Sequence, residues 1–193
     1  MAEVGKKFYS KEEASEARDF LVYEMKAGKI FIYPTDTVYG LGANAELLPS
    51  AEKINGIKKR QGKNFLIIAP SMEWIFAHCE CSEKVQEILQ DKLPGPFSFR
   101  LKMKEKNILA DGEGTVGVRI PDHWFASFVA EAGLPFITTS VNLAGQPPLL
   151  KIKDLDEEII EKVDYIIQDD DSLSGKSSTL IDLTSGEEKI IRA

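Results

Sequence analysis

Hydroxyl, carboxyl and phenol side chains follow directly after an apolar run near the start of the chain. The run covers residues 30–33 and continues into Pro34-Thr35-Asp36-Thr37-Val38-Tyr39, then Gly40-Leu41-Gly42. A buried strand that ends abruptly in polar residues places them at the carboxyl edge of a sheet, where open α/β folds bind ligands. A strand followed by an ordinary turn is the simpler interpretation of this segment alone. The functional interpretation therefore depends on what else converges there.

Four further polar clusters end predicted strands or helices, and they combine cations, hydroxyls and amides. They are Lys58, Lys59, Arg60 and Lys63; Thr115 with Arg119; Thr138, Thr139, Ser140 and Asn142; and Ser177, Ser178 and Thr179 with Arg192. Arginine makes bidentate contacts with phosphate or carboxylate, so converging clusters of this kind suit a polyanionic ligand. Taken singly, each cluster has a simpler explanation, such as lysines that complement a helix dipole or loop residues that bond their own backbone. Their joint occurrence favours one shared site, although the pattern does not prove that they meet.

Other chemistries find less support in the sequence. Gly175-Lys176-Ser177 resembles the end of a phosphate-binding P-loop, but Asp170 stands where that motif needs its first glycine. The segment 78–81, His-Cys-Glu-Cys, has no second ligand pair to complete a zinc site, and neither cysteine has an evident histidine partner for nucleophilic catalysis. We predict no metal-ligating residues. The acidic run 169–171 is most simply a solvated face, and a metal near it stays an open alternative.

Composition and charge limit the classes of protein to which the chain can belong. The 193 residues are 43% hydrophobic and 28% charged, which is ordinary for a globular protein with its own core. The net charge of −7 argues against broad, sequence-independent nucleic-acid binding, although it leaves room for a local basic pocket. Cys79 and Cys81 are interpreted as reduced thiols. With no signal core in residues 1–7 and no membrane span, we expect a cytoplasmic protein.

Helix signals alternate with apolar runs along the chain. Ser10 and Glu13 form a capping box, and Gly28 ends the helix that follows. Further helices are predicted after Pro49-Ser50, Ser71, Ser82, Asp122 and Asp154. The predicted strands are residues 29–33, 65–69, 97–103, 115–120, 135–139, 163–167, 179–183 and 189–191.

These elements predict an α/β fold: a single domain, residues 1–193, with a twisted, mixed parallel and antiparallel sheet flanked by helices. Strands and helices interleave without a repeat, a low-complexity linker or a shift in composition. The tight turn at Ser185-Gly186 and other short links predict antiparallel pairs within the sheet.

Six segments, in order along nearly the whole chain, resemble the YrdC/Sua5 family of L-threonylcarbamoyladenylate synthases. The resemblance is to the short, single-domain, TsaC-like form without the additional C-terminal domain. The segments are residues 33–42, Lys58-Lys59-Arg60, residues 93–99, residues 116–121, residues 139–145, and the closing pair 178–182 and 190–192. One such match would be weak evidence, whereas six in the right order and spacing are specific.

The resemblance implies the YrdC-like fold and a nucleotidyltransferase activity. The family forms threonylcarbamoyl-AMP and pyrophosphate from L-threonine, bicarbonate or CO₂, and ATP, and the product feeds t6A modification of adenosine 37 in tRNA. By position, the resemblance assigns L-threonine to Thr35, Arg119, Thr139 and Ser178, with Arg119 on the carboxylate. It assigns ATP to Lys58, Arg60, Thr115, Ser140, Asn142 and Arg192, with Lys58 and Arg60 as the catalytic pair on the phosphates.

The resemblance also implies partners and leaves one alternative open. We expect Mg²⁺ with ATP, no organic cofactor, and a downstream tRNA threonylcarbamoyltransferase; a weak tRNA contact stays open, and no membrane contact is expected. Fixed cations would stabilise charge that grows on phosphate, and no side-chain nucleophile is required. The alternative is a non-catalytic RNA- or nucleotide-binding paralogue of the same fold. The acidic balance and the cations retained at the predicted ATP positions favour the enzyme.

Several positions depart from the family's pattern. Gln61 and Phe65 stand where the family has prolines, Ala69 replaces a histidine, Ser98 replaces a threonine, and Pro148 replaces a polar residue. Gln61 and Phe65 border the predicted phosphate site, so phosphate affinity is the property that these departures call into question.

Three residues of the first segment receive separate predictions. Thr35 is expected to face the ligand. Asp36 is expected to have a structural role, because the implied ligand is itself anionic. Tyr39 stays open between ring packing and a ligand contact.

Overall fold

The computed structural model describes residues 7–59, 65–105, 109–142 and 146–193. Within these ranges the strands are β1 Phe8–Ser10, β2 Phe31–Tyr33, β3 Gly40–Gly42, β4 Leu66–Ile68, β5 Phe97–Lys102, β6 Thr115–Arg119, β7 Phe136–Ser140, β8 Tyr165–Gln168, β9 Thr179–Asp182 and β10 Lys189–Arg192. The helices are α1 Lys11–Glu16, α2 Arg18–Lys26, α3 Leu48–Lys58, α4 Met72–His78, α5 Glu83–Lys92, α6 Ala126–Ala132 and α7 Glu157–Lys162. Short 3₁₀ turns lie at Ile152–Asp154 and Asp170–Ser172.

The strands of the described residues form one mixed sheet. Its order is β1-β8-β2-β3-β7-β4-β6-β5-β9-β10. The pairs β1/β8, β2/β8, β4/β6 and β5/β9 are parallel, and the other neighbouring pairs are antiparallel. The predicted mixed sheet is confirmed, including the antiparallel pair β9/β10 around Ser185-Gly186. The boundary of the domain at residues 1–193 stays a prediction.

Two apolar clusters cover opposite faces of the sheet and give the fold its layers. The first joins β4–β7 and β9 to α3, α4, α5 and α7, with Ile67, Phe99 and Ile137 at its centre. The second joins β2 and β8 to α1, α2 and α6 through rings such as Phe31 and Phe128. None of the described helices is long and apolar enough to cross a bilayer.

Serine caps begin three of the helices, as predicted from their positions. The Ser10 hydroxyl accepts from the Glu13 N–H at 3.3 Å, and the Glu13 carboxylate accepts from the Ser10 N–H at 2.8 Å, which closes the capping box. Ser71 and Ser82 accept in the same way at the starts of α4 and α5. The helix predicted to run from Ser10 to Gly28 is divided at Ala17, whose φ of −93° and ψ of 18° separate α1 from α2.

Two predicted helix caps are wrong. Asp122 does not begin a helix, because His123 fills the turn and accepts from the Phe125 N–H, so that α6 begins only at Ala126. Asp154 lies at the end of a 3₁₀ turn instead. The cap of α7 is Asp156, whose carboxylate accepts from the Glu158 N–H at 2.8 Å.

Two short strands escaped the sequence prediction, β1 and the Gly-Leu-Gly strand β3. Close packing of β3 against neighbouring segments of the same chain explains its two glycines. A Cβ on Gly42 would lie 1.9 Å from the Ile137 carbonyl oxygen, and one on Gly40 would lie 2.6 Å from the Tyr33 ring. These glycines serve close strand approach, and they bring the segment after β2 back beside β7.

Candidate active site

A cavity of about 390 Å³ brings together seven of the ten predicted site residues. They are Thr35, Thr115, Arg119, Thr139, Ser140, Ser178 and Arg192. Strand alternation builds its floor: on β6, Gly117 faces the cavity while Val116 and Val118 lie in the core. Gly117 pairs with Leu66 on β4 and with Arg100 on β5, and both partners also line the cavity.

A buried ion pair closes one end of the cavity. Arg119 is 5% exposed at the end of β6; its NH2 donates to the Asp36 carboxylate and its NH1 donates to the Thr37 hydroxyl at 3.1 Å. The other Asp36 oxygen accepts from the Asp122 N–H at 3.2 Å. Asp36 therefore fixes the position of Arg119, which agrees with the structural role predicted for it.

Arg119 retains one donor without a partner. Its buried Nε has no hydrogen-bond partner within the described residues. Burial lowers the pKa of Arg119, while the charge of Asp36 acts in the opposite direction. An unpaired buried donor costs about 1–3 kcal/mol, so an anionic oxygen that reached Nε would gain a charge-assisted hydrogen bond and remove that cost.

The threonines after β2 form a tight turn at the cavity wall. The Thr35 hydroxyl donates to the Val38 carbonyl at 2.7 Å and accepts from the Thr37 and Val38 N–H groups. It also lies 2.9 Å from the Thr37 hydroxyl. Thr35 thus lines the cavity as predicted, but its hydroxyl also holds the turn that presents Thr37 to Arg119.

Ser178 connects two elements on the far side of the cavity. Its hydroxyl lies 2.8 Å from the hydroxyl of the fully buried Ser98, so the replacement of threonine by serine at position 98 keeps an oxygen there. The Ser178 carbonyl accepts from Arg192 NH2 at 2.9 Å. A one-residue bulge between Ile190 and Arg192 pairs Arg192 with Leu180, which also lines the cavity.

Lys58, Ser140 and Asn142, all predicted to bind ATP, are bonded to one another. Lys58 Nζ donates to the Ser140 carbonyl at 2.7 Å and to Asn142 Oδ1 at 2.6 Å. The Ser140 hydroxyl also donates to Asn142 Oδ1, at 2.7 Å. Ser140 lines the cavity, whereas Lys58 and Asn142 are not lining residues and are bonded to Ser140. The end of α3 is thereby tied to the end of β7.

Arg100 and Asp111 line the cavity but were not among the predicted site residues. Burial would raise the pKa of Asp111, but hydrogen bonds from Thr115, the Glu113 N–H and Arg100 outweigh it and lower the pKa to about 2. The alternation of β5 offered one signal, since it placed Arg100 on the polar face of that strand. No comparable pattern marked Asp111.

Two hydrogen bonds join the Tyr39 hydroxyl to the segment after β8. The Tyr39 hydroxyl donates to Asp170 at 2.7 Å and accepts from the Asp169 N–H at 2.9 Å. Burial, followed by the Asp170 hydrogen bond, raises the pKa of Tyr39. The structure therefore favours packing and tethering over a ligand contact by the hydroxyl.

Some predicted positions lie outside the described residues, namely Arg60, Gln61, Lys63 and the segment 143–145. The position of Arg60 on the phosphates thus stays a prediction. Within the described ranges, no group of three or more His, Cys, Asp or Glu residues could hold a metal ion. Asp111 already accepts hydrogen bonds at both carboxylate oxygens.

A family comparison supports the resemblance seen in the sequence. The family model of Sua5, YciO and YrdC proteins, described as "Telomere recombination", matches residues 24–193. The chain is also 32% identical over 184 residues to a protein of Methanocaldococcus jannaschii named "Putative threonylcarbamoyl-AMP synthase". That match covers 94% of this chain and 86% of the relative.

Solved structures share the fold. P. abyssi Sua5, solved in complex with L-threonine, is 28% identical with a TM-score of 0.85, over 96% of this chain and 56% of that one. The chain thus spans little more than half the length of that relative. E. coli YciO superposes with a TM-score of 0.85 at 24% identity, over 97% of this chain and 95% of YciO, which shows the fold alone.

Proposed function

Because the chain belongs to the family of Sua5, YciO and YrdC proteins, we propose that it is an L-threonylcarbamoyladenylate synthase. It takes L-threonine, bicarbonate or CO₂, and ATP, and releases threonylcarbamoyl-AMP and pyrophosphate. Support comes from the name of the M. jannaschii relative and from the threonine bound to P. abyssi Sua5. Both concern other proteins; in this chain, support comes from the residues of the cavity.

The observation that carries the proposal is the fixed, buried cation of Arg119. A guanidinium held by Asp36 and Thr37, with its buried Nε unpaired among the described residues, suits a carboxylate that enters the cavity. L-threonine supplies that carboxylate. Its hydroxyl and methyl groups would lie among the hydroxyls of Thr35, Thr139 and Ser178, which line the same cavity.

The chemistry requires positioning and charge stabilisation. The neutral threonine amine first forms an N–C bond to CO₂ and loses a proton, or combines with bicarbonate and releases water; either route gives a carbamate. A carbamate oxygen then attacks the α-phosphorus of ATP, a new P–O bond forms, and the bond to the β-phosphate oxygen breaks as pyrophosphate leaves. Negative charge grows on the phosphate and leaving-group oxygens, so preorganised donors lower the barrier.

The phosphates are assigned to the cationic and hydroxyl groups on the other sides of the cavity. Arg192 donates through Nε and NH2 to the Ser178 carbonyl, which leaves NH1 without a partner among the described residues. Lys58, tied to Ser140 and Asn142, places a second cation beside Ser140. Arg60 completes the set by sequence position. Mg²⁺ bound with ATP would offset part of the negative charge of the phosphates.

The product is a mixed anhydride of a carbamate and a phosphate, which is a reactive acyl donor. We propose that a tRNA threonylcarbamoyltransferase consumes it, with adenosine 37 as the acceptor and t6A as the modification. The site of action is then the cytoplasm, where tRNA is modified.

Detection of the product tests the proposal. The protein is incubated with ATP, Mg²⁺, L-threonine and ¹³C-labelled bicarbonate, and the mixture is separated and examined by mass spectrometry. We expect threonylcarbamoyl-AMP that carries the label, together with an equal amount of pyrophosphate. AMP and pyrophosphate without labelled adenylate, or no turnover at all, would contradict the assignment.

A further inference from the structure

A segment of ten residues after β8 runs along the cavity, although the proposed reaction uses only its last residue. We call residues 169–178 the strap. It begins beside the Tyr39 hydroxyl, which donates to Asp170 at 2.7 Å and accepts from the Asp169 N–H at 2.9 Å. It ends at Ser178, which is 4% exposed and lines the cavity. The strap therefore connects the Tyr39 side of the cavity with the side that Ser178 occupies.

The middle of the strap is hydrogen-bonded to the turn that holds Arg119. The Ser174 N–H donates to the Asp36 carbonyl at 3.3 Å, and the Gly175 N–H donates to the Thr37 carbonyl at 2.9 Å. The side chains of Asp36 and Thr37 bond the Arg119 guanidinium. The backbone of the strap thus supports the residues that fix the buried cation.

The end of the strap contributes to another wall of the cavity. The Ser178 hydroxyl lies 2.8 Å from the Ser98 hydroxyl, and the Ser178 carbonyl accepts from Arg192 NH2 at 2.9 Å. One continuous segment therefore connects the residues that hold Arg119 with the residue that holds Arg192. A displacement of the strap would change the surroundings of both cations at once.

Polar contacts rather than apolar packing hold most of the strap in place. Leu173 is its one large apolar side chain, and it is only partly buried. Residues 174–177 are exposed. Segments with few buried apolar contacts open at a low cost in free energy, so single hydrogen bonds contribute a large share of their order. Tyr39 is fully buried and lines the cavity, so its hydroxyl gives the strap a fixed point of attachment.

A second attachment ties the strap to the segment before α6. Trp124 Nε1 donates to the Asp169 carboxylate at 2.7 Å, and His123 Nε2 lies 2.9 Å from the Ser172 hydroxyl. Neither Trp124 nor His123 is a lining residue of the cavity. The hydrogen bond to Tyr39 is thus the contact that joins the beginning of the strap to the cavity wall itself.

We propose that Tyr39 and Asp170 are positioning residues, and that their hydrogen bond holds the strap in the one position in which both walls of the cavity are complete. Asp170 is itself fixed, because the same carboxylate oxygen accepts from the Ile152 N–H at 3.1 Å. The inference rests on the proposed function for its substrates, L-threonine and ATP. It adds two residues that act on them through the strap.

Loss of this bond would give a distinctive pattern of binding. A strap that is displaced part of the time lowers the fraction of molecules competent to bind, and the apparent affinity falls by the same factor. The first ligand to bind would return the strap to its place, so the second would bind with nearly normal affinity. Damage confined to the L-threonine contacts would instead weaken L-threonine equally with and without nucleotide.

The test measures the order of the strap and the affinity for L-threonine in Tyr39→Phe, which removes the hydroxyl and keeps the ring. Without ligands, hydrogen exchange followed by NMR should be about threefold to tenfold faster at the Ser174 and Gly175 amides and unchanged in β7, since one net hydrogen bond is lost. In calorimetric titrations L-threonine alone should bind about threefold to tenfold more weakly than to the wild type. With a saturating ATP analogue that has a methylene bridge between the α- and β-phosphorus, its affinity should return to within about twofold.

Two further exchanges serve as controls. Tyr165→Phe removes the same kind of bond, since the Tyr165 hydroxyl donates to Glu24 at 2.7 Å outside the cavity lining. It should leave both strap exchange and L-threonine affinity unchanged. Asp170→Asn keeps a carbonyl oxygen that can accept from Tyr39 and Ile152, so it should retain most of the affinity that Asp170→Ala loses.

Unchanged strap exchange in Tyr39→Phe would overturn the inference. A loss of L-threonine affinity that the nucleotide analogue does not reduce would overturn it as well, and so would an equal effect of Tyr165→Phe. If the wild type bound neither L-threonine nor the nucleotide, the proposed function would fail. Faster strap exchange in Tyr39→Phe would then still support the positioning role of the bond, and unchanged exchange would still overturn it.

Discussion

Arg119 combines burial, charge and a donor that has no partner in the described part of the chain, and its environment differs from that of Arg192. Arg119 is 5% exposed and held by Asp36, whereas Arg192 is exposed and held by a carbonyl. The first arrangement fixes a cation for one specific carboxylate. The second leaves a more adaptable cation for a larger polyanion. The two arginines of one cavity are therefore expected to serve different substrates.

Conservative exchange of each arginine tests this division. Arg119→Lys keeps the charge beside Asp36 but loses the guanidinium fork, so L-threonine should bind about tenfold to a hundredfold more weakly, the loss of one charge-assisted hydrogen bond. ATP affinity should change much less. Arg192→Lys should give the reverse pattern in the same calorimetric titrations. If both variants lost both ligands equally, the separate assignments would be wrong.

Ser98 and Ser178 form a buried hydroxyl pair whose contribution can be isolated. Their oxygens lie 2.8 Å apart, and Ser98 is fully buried. A double-mutant cycle of Ser98→Ala and Ser178→Ala, measured by urea unfolding, should give a coupling free energy of about 0.5–1.5 kcal/mol. Strictly additive effects on the free energy of unfolding would show that the pair contributes no interaction of its own.

At the scale of elements, the segment between β6 and α6 replaces the helix cap that the sequence suggested. His123 Nδ1 accepts from the Phe125 N–H at 3.2 Å, so Nε2 carries the proton and donates to the Ser172 hydroxyl at 2.9 Å. This network requires the neutral ring. Burial lowers the pKa of His123 below its ordinary 6.5, against the opposing charge of Asp169.

The pH dependence of stability follows from that shift. Because the unfolded chain binds a proton on His123 more readily than the folded chain, stability from this residue is fully present above about pH 6.5 and is lost as the pH falls through the lower native pKa. The free energy of unfolding, measured in urea, should therefore fall between about pH 7.5 and pH 5. In His123→Gln this decrease should be smaller. An identical slope in the variant would mean that His123 titrates alike in both states.

A bulge in β10 shows how an element can select the face of a functional residue. In a regular ladder, Ile191 would stand opposite Leu180 and Arg192 would point away from the cavity. The extra residue between Ile190 and Arg192 returns Arg192 to the cavity side. Sequence alternation could not reveal this, because the closing strand reads as a plain apolar pair before an arginine.

At the scale of the whole molecule, local sequence patterns predicted the helices and strands better than they predicted which strands are adjacent in the sheet. Serine caps and apolar runs located most helices and strands to within a few residues. The order of the sheet depends on long-range pairing: β7 lies between β3 and β4, which brings Ser140 beside Gly40 and Thr138 beside Leu66. No local signal contains that order, so the meeting of Thr35, Arg119 and Ser178 followed from the family resemblance.

The net charge of the chain likewise could not predict the charge of the site. The chain carries a net charge of −7, yet Arg119 and Arg192 meet in one cavity with Lys58 tied to its wall. The excess of acidic residues predicted that the surface as a whole would not bind nucleic acid independently of sequence. It could not show where cations gather, because that depends on which strands are adjacent.

Release of pyrophosphate from ATP, with each substrate omitted in turn, tests the central claim most directly. The account predicts pyrophosphate release when L-threonine, bicarbonate and ATP are all present, and only background release when L-threonine or bicarbonate is left out. In Arg119→Lys the rate of release should be strongly reduced at low L-threonine and largely restored at high L-threonine. Pyrophosphate release that does not depend on L-threonine would contradict the account. The absence of release from a protein that binds tRNA tightly would also contradict it and favour the non-catalytic alternative.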